Sequence, residues 1–237
     1  MKNLQGKTAV ITGAAGGLGS ALASSMADKG CHLALIDSNQ AALSELIKRL
    51  EYPHLRISSH IINLCEQTDI DSLPAAIASV HNSIDILINN AGMTIQKSVE
   101  NHSIDDWQRV FNLNFWAPVS LCKTLLPLLR QQRSAHIVNL SSMAAFYGLP
   151  SQSSYSSSKA ALQAYSESLA AELNRDGIVI SCIHPGAIKT DMMMATLNES
   201  DDLKQAQKTW LCNNALASQQ RLSPSGLSAQ FKVTHPV

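Results

Sequence analysis

Short apolar runs alternate with helix-length stretches along most of this chain, and that alternation restricts the fold more than any single motif. Thr8–Thr12, His32–Asp37, Ile57–Asn63, Ile84–Asn89, His136–Ser141 and Ile178–Ile183 read as strands. Ser20–Lys29, Ala41–Leu50, Glu66–Val80 and Tyr155–Asn174 read as helices between them. Ser103 reads as an N-cap with Asp105 and Asp106 in the first turn, opening a helix that runs to Gln132 with a break at Pro118. Such alternation predicts a doubly wound parallel sheet with helices on both faces and ligands at the strand carboxyl ends. A chain of 237 residues, 45% hydrophobic and 15% charged, suits one α/β domain with a full core.

Composition excludes several classes of partner. Eighteen basic residues balance eighteen acidic ones and form no basic block, which argues against nucleic acid and anionic membrane. No apolar run reaches about 18 residues, and the N-terminus lacks the apolar core of a signal peptide. The five cysteines (Cys31, Cys65, Cys122, Cys182 and Cys212) are scattered and form no Cys-x-x-Cys pair. They read as free thiols in a reducing compartment, hence a cytoplasmic protein, with no metal site.

The chemistry-bearing residues cluster near the strand ends. Gly13, Gly16, Gly17 and Gly19 lie between the first strand and the first helix. In that context glycines let the backbone approach a pyrophosphate, and the helix N-terminus offers free N–H groups. A glycine-rich turn without a ligand is the competing reading. Asp37 ends the second strand, eighteen residues after Gly19. That is close to the spacing of about 20 residues for a ribose-binding acid, which would repel a 2′-phosphate and favour NAD over NADP. It could instead cap the next helix. Asn89, Asn90, Ala91 and Gly92 either let the chain pass close to an adenosine or simply shape a turn. Asn114 is a polar residue in an apolar helical stretch, and a satisfied buried amide is one account of it. Tyr155 and Lys159, four apart, share a helix face, where the ammonium should pull the phenol's pKa down from about 10 toward neutral. A tyrosine tuned that way exchanges protons with a substrate oxygen, and Ser142, closing the fifth strand, could bond the same oxygen. Most isolated Tyr-x-x-x-Lys pairs are solvated helix faces.

Thr12-Gly13-x-x-x-Gly17-x-Gly19, Asn89-Asn90-Ala91-Gly92, Asn114, Ser142, Tyr155-x-x-x-Lys159 and Pro185-Gly186-x-Ile188-x-Thr190 occur in this order. Together the chain resembles the classical short-chain dehydrogenase/reductase family over roughly residues 5–195. The resemblance implies a single Rossmann-like domain and a nicotinamide cofactor. It implies that Tyr155 is the general acid/base, that Lys159 lowers its pKa and binds the nicotinamide ribose, and that Ser142 orients the substrate oxygen. Asn114 would hold a water in a proton relay toward Lys159. Gly13, Gly17, Leu18 and Gly19 would line the pyrophosphate, Asp37 would hold the adenine ribose, and Asn90, with Ala91 and Gly92, the neighbouring sugar. Ile188 and Thr190, after Pro185 and Gly186, would anchor the carboxamide. Homodimers or homotetramers are the usual assemblies. Small residues at Ala160, Ala164, Ser168 and Ala171 could face another subunit or pack within this one.

Two departures stand out. Asn63-Leu64 occupies the place where the family often has an adenine-contacting Asp, and an amide still accepts from the adenine amine. The segment 223–237 is short: about six residues separate the Ser223-Pro224 turn from a strand-like Phe231–Thr234, where a parallel crossover takes a dozen or more. The final helix is therefore expected to be abbreviated and the last strand undocked or displaced. Met143–Leu149 and the region of about 187–222 border the substrate pocket, with Phe146, Tyr147, Met192 and Trp210 as an apolar wall or as ordinary packing. A secondary alcohol or ketone is the expected substrate. The competing readings are a cofactor-binding scaffold without turnover, against which Ser142, Tyr155 and Lys159 stand, and a sugar-nucleotide epimerase or dehydratase, against which the glycine spacing stands.

Overall fold

Strands β1 (Thr8–Thr12), β2 (His32–Asp37), β3 (Ile57–Ile61), β4 (Ile86–Asn89), β5 (Ala135–Leu140) and β6 (Ile178–Ile183) form one sheet in the computed structural model, which describes residues 3–186. Its order is β3-β2-β1-β4-β5-β6 and every pairing is parallel. The order reverses between β1 and β4, which opens a crevice at the carboxyl ends of those strands. Helices α1 (Gly17–Asp28) and α2 (Gln40–Arg49) cover one face. Helices α3 (Gln67–Ala78), α4 (Ile104–Phe111), α5 (Ala117–Leu129) and α6 (Ser153–Leu173) complete the set, with α3, α5 and α6 packed on the other face.

Strand pleating sorts the core. Ala9 and Ile11 of β1 join Leu33 and Leu35 of β2 in the α1/α2 layer, while Val10, Ala34 and Ile36 join the opposite layer. Strands buried on both faces read as continuous apolar runs, which is why β1, β2 and β4 are so plain in the sequence. The edge strand β3 carries Ser58, Ser59 and His60 and is only partly buried. Beside α1, an apolar cavity of about 550 Å³ meets the β4–β6 face, lined by Leu22, Met26, Ile88, Val138 and Ile183.

Several element bounds differ from the sequence reading, β3 for instance ending at Ile61 rather than Asn63, and three differences have a visible local cause. Strand β4 begins at Ile86 rather than Ile84, because the Asp85 carboxylate turns back to accept from Thr8 N (3.0 Å), Ser83 Oγ (2.9 Å) and Lys7 Nζ (2.7 Å). Helix α1 begins at Gly17, three residues early, since Gly16 already serves as its N-cap. Pro118 does not break the helix opened by Ser103. The chain passes from α4 through a π-helical turn, Asn112–Trp116, directly into α5, with Pro118 in the first turn. Proline has no N–H to give the Asn114 carbonyl four residues back, and the wider turn is where the hydrogen-bond ladder changes register. The Ser103 cap itself forms as a capping box with Asp106.

No helix among the described residues is long and apolar enough to cross a membrane. The expected substrate-loop region of 187–222, Met192 and Trp210 within it, the shortened segment 223–237 and the Phe231–Thr234 strand lie outside the described residues, as do Ile188 and Thr190.

Candidate active site

The turn after β1 is tied to the end of β4. Asn90 Nδ2 donates to the Thr12 and Gly13 carbonyls (2.9 and 3.1 Å), and Thr12 Oγ1 accepts from the N–H groups of Asn90 and Ala91 (3.0 and 3.1 Å). Of the two readings of Asn90, turn-shaping is the one these bonds display. Gly13 has φ +61°, and a Cβ there would lie 2.8 Å from Ala91 Cα. A Cβ on Gly19 would lie 2.0 Å from the Gly13 carbonyl oxygen. Both positions therefore require glycine. Gly16 supplies no side-chain cap to α1, which leaves the first-turn N–H groups of the helix without a side-chain partner. Glycine walls that exclude a Cβ, beside an uncapped helix N-terminus, form a cradle that fits a dinucleotide pyrophosphate.

Asp37 closes this cradle. Its Oδ2 accepts from Ala15 N and its Oδ1 from Asn39 N, both at 3.0 Å. The carboxylate thus fastens the glycine turn to the end of β2. The next helix is capped by Asn39, whose side chain accepts from Ala42 N at 3.0 Å, so Asp37 is not the cap. Asn63 Oδ1 accepts from Cys65 N (3.1 Å), a local turn bond that occupies the amide oxygen offered above to adenine. Leu64 next to it is buried.

Across the crevice, β5 and α6 bring the proposed reacting groups together. Ser142 follows β5, and its hydroxyl accepts from Ala144 N at 3.1 Å and lies close enough to the Tyr155 hydroxyl to draw the phenol's pKa down. Lys159 is buried, donates to the Leu140 carbonyl at 2.7 Å, and holds its Nζ 5.9 Å from the Tyr155 ring centre. Gly92 makes room for it: a Cβ there would lie 3.4 Å from Lys159 Nζ and 3.2 Å from Asn114 Oδ1. Asn114 is fully buried and bonded, accepting from Met93 N (2.8 Å) and donating to Met93 O (2.9 Å) and Ser158 Oγ (3.0 Å). Ser158 in turn donates to the Tyr155 carbonyl at 2.7 Å. Pro185 O accepts from Met143 N at 3.1 Å, which joins the end of β6 to the segment after Ser142. Gly186 follows at the last described position.

The electrostatics correct one expectation. Burial pushes the Tyr155 phenol above its ordinary value, and the neighbouring Ser142 hydroxyl offsets this only in part. The same-face spacing of Tyr155 and Lys159 is right, but the ammonium is directed to the Leu140 carbonyl rather than to the phenol. Burial lowers Lys159 to about 8, with the neighbouring Cys182 acting in the opposite sense.

Met143, Phe146 and Tyr147 are exposed beside Ser142, and the Phe146 ring lies 4.6 Å from that of His184. Sequence reasoning missed Ser158 and His184. A serine inside Tyr-x-x-x-Lys looks like helix surface until Asn114 is placed beside it, and His184 gains meaning only from the fold of the segment after Ser142. No group of three His, Cys, Asp or Glu side chains suited to a metal ion occurs among the described residues.

Comparison with known proteins agrees with this geometry. Residues 7–201 match the short chain dehydrogenase family. An uncharacterized oxidoreductase of Staphylococcus epidermidis is 30% identical over 196 residues, covering 83% of this chain and 84% of that one. The 3-oxoacyl-acyl-carrier-protein reductase FabG of Thermotoga maritima is 31% identical over 189 residues, covering 80% and 77%. The crystal structure of a short-chain dehydrogenase/reductase from Burkholderia phymatum in complex with NAD superposes with a TM-score of 0.79 at 26% identity, covering 94% of this chain and 82% of that one. With a parallel Rossmann-like sheet, a glycine cradle and a Ser142–Tyr155–Lys159 cluster at its strand ends, this chain belongs to the short-chain dehydrogenase/reductase family.

Proposed function

We propose that the protein is an NAD-dependent dehydrogenase/reductase of secondary alcohols and ketones, with Tyr155 as the general acid/base. The observation that carries this reading is the convergence of the end of β5 and α6, which sets Ser142 close to Tyr155 with buried Lys159 behind it, its Nζ 5.9 Å from the Tyr155 ring centre. A nicotinamide cofactor, when bound, supplies or accepts the hydride. Ser142 orients the substrate oxygen, and Tyr155 gives it a proton during ketone reduction or removes one during alcohol oxidation. Lys159 stabilises the phenolate that remains after the proton leaves, and Asn114 holds the relay water that restores it. Gly13, Gly17, Leu18 and Gly19 hold the pyrophosphate, and Asp37 the adenine ribose, while its charge disfavours a 2′-phosphate. Asn63 and Leu64 border the adenine, Asn90, Ala91 and Gly92 the neighbouring sugar, and Pro185, Gly186, Ile188 and Thr190 the carboxamide.

Other supports are chemical. The 3-oxoacyl relative is named for reduction of a ketone. Cys31, Cys65, Cys122 and Cys182 are free thiols, which favours a cytoplasmic setting. Ala164, Ser168 and Ala171 are exposed on α6, and Trp116 is 55% exposed nearby in sequence to α5, which favours a homodimer or homotetramer over packing within the subunit. The test is NADH oxidation followed with a panel of ketones, for the parent and for Tyr155→Phe. Turnover by the parent and none by the variant, with NADH affinity retained within about threefold, is the expected result. Loss of NADH binding in the variant would assign Tyr155 to binding rather than to proton transfer.

A further inference from the structure

Beneath Lys159, α6 meets the sheet through polar side chains. Asn89 of β4, Asn139 of β5 and Cys182 of β6 are register partners, so pleating sends all three to one face. Two residues earlier on the same strands, Leu87, Ile137 and Ile180 pack in the ordinary apolar layer. The polar layer is continuous. Asn89 Nδ2 donates to Asn139 Oδ1 (2.8 Å), Asn139 Nδ2 donates to Ser166 Oγ (2.9 Å), and Ser166 Oγ donates to the Leu162 carbonyl (2.6 Å). The Cys182 thiol lies against the Ser141 and Ser166 hydroxyls, and Ser141 Oγ donates to the Lys159 carbonyl at 2.9 Å. Asn139 and Ser166 are almost wholly buried, and the Asn89 Oδ1 has no partner at all.

Placing amides there carries a desolvation penalty that an apolar layer would avoid. Apolar contacts, however, are non-directional and tolerate a helix that slides or turns, whereas a chain of directional hydrogen bonds favours one register. Ser142 lies three residues after Asn139 on β5, and Lys159 lies two helical turns before Ser166 on α6. The Asn139–Ser166 bond therefore spans the two elements whose relative placement determines the site. A misplacement of about 1 Å in such a constellation can lower a rate about 100-fold. We propose that Asn139 is a positioning residue: through Ser166 it fixes the register of α6 on β5, and with it the distances among Ser142, Tyr155 and Lys159. This role rests on the acid/base reading of Tyr155 given above.

Asn139→Leu and Ser166→Ala remove the bond while preserving most of the volume, and Ser166→Thr keeps the hydroxyl. Two readouts are taken, the titration of the Lys159 ammonium by NMR in the cofactor-free protein and the steady-state constants with NADH and a ketone. In Asn139→Leu and Ser166→Ala the Lys159 midpoint should move away from that of the parent protein. The kcat should fall by about tenfold or more, with KM and NADH affinity held within about threefold. Ser166→Thr should restore both. Folded variants with an unchanged Lys159 midpoint and kcat would overturn the proposal, as would a parallel loss of kcat and NADH affinity. If Asn139→Leu does not fold, the two Ser166 variants decide. A parent without turnover would count against the acid/base reading alone, and the Lys159 titration would then decide the positioning role by itself.

Discussion

Tyr155 and Lys159 are displaced from their ordinary ionisation in opposite directions by one cause, burial. Each neutral form is favoured by the same poorly solvated surroundings. Under the proposed mechanism this suits ketone reduction, in which Tyr155 must arrive protonated, and burial keeps it so well above neutral pH. Lys159 is the limiting partner, because its charge is lost near pH 8. The value of kcat/KM for reduction, which reports the free enzyme, should therefore decline above about pH 8. A profile flat to pH 10 would show that Lys159 keeps its proton, contrary to this account. At the other end of the crevice, Asp37→Ala should narrow the preference for NADH over NADPH, since it removes both the ribose acceptor and the repulsion of a 2′-phosphate. An unchanged ratio of the two dissociation constants would remove Asp37 as the selector.

Tyr155, Lys159 and Ser142 were legible in the sequence because their spacing is carried by a regular helix and the end of a regular strand. The direction of the Lys159 ammonium was not, because helical spacing fixes a face and says nothing of which acceptor a four-carbon stem reaches. Asn139 and Ser166 were equally hidden. A strand amide and a mid-helix serine look like routine polar positions until strand register and helix placement bring them to 2.9 Å.

Among the elements, the helix that crosses from α4 into α5 shows how local rules and function meet. Pro118 signals a break, yet the π turn keeps the helix continuous and delivers Asn114, fully bonded, to the space beneath Gly92. The sequence signal was real, and only its structural outcome was misjudged. Ser103, by contrast, forms the expected cap, and its hydroxyl both accepts from Asp106 N (3.1 Å) and donates to the Asp106 carboxylate (2.9 Å). Ser103→Ala should destabilise the protein by about 1 kcal/mol, readable from chemical unfolding, with cofactor affinity unchanged. A much smaller loss would mean that Asp106 and its Lys97 ion pair hold the helix end without the hydroxyl. In the glycine turn, Gly19→Ala would drive a methyl into the Gly13 carbonyl, so NADH binding should fall by more than about tenfold even where the protein stays folded.

At the scale of the whole molecule, the sheet concentrates its chemistry at the carboxyl ends and a pH-sensitive device at one edge. Ser58 on β3 is bonded at 2.8 Å to Nε2 of both His60 and His81. Burial, followed by the charges of Arg56, His32 and His60, lowers His81 from 6.5 to about 4. Between those values the unfolded chain holds the proton and the folded one does not. Stability is thus full above about pH 6.5 and declines as pH falls toward 4, by up to about 1.4 kcal/mol per pH unit for one proton. Thermal unfolding across that window should show this slope, and His81→Gln should flatten it. The strand order comes from the structure, whereas the parallel sheet with helices on both faces follows from the alternation of strands and helices and was readable before any coordinates. The edge histidines were not, since their pairing depends on the register of β3 and the end of α3.

The most direct test of the account is a titration of the folded protein with NADH and then with NADPH, followed by nicotinamide fluorescence. The account predicts saturable binding of NADH, tighter than NADPH by about tenfold or more, because the glycine cradle takes the pyrophosphate and Asp37 accepts a free ribose. A folded protein that binds neither, or that binds NADPH more tightly, would contradict it.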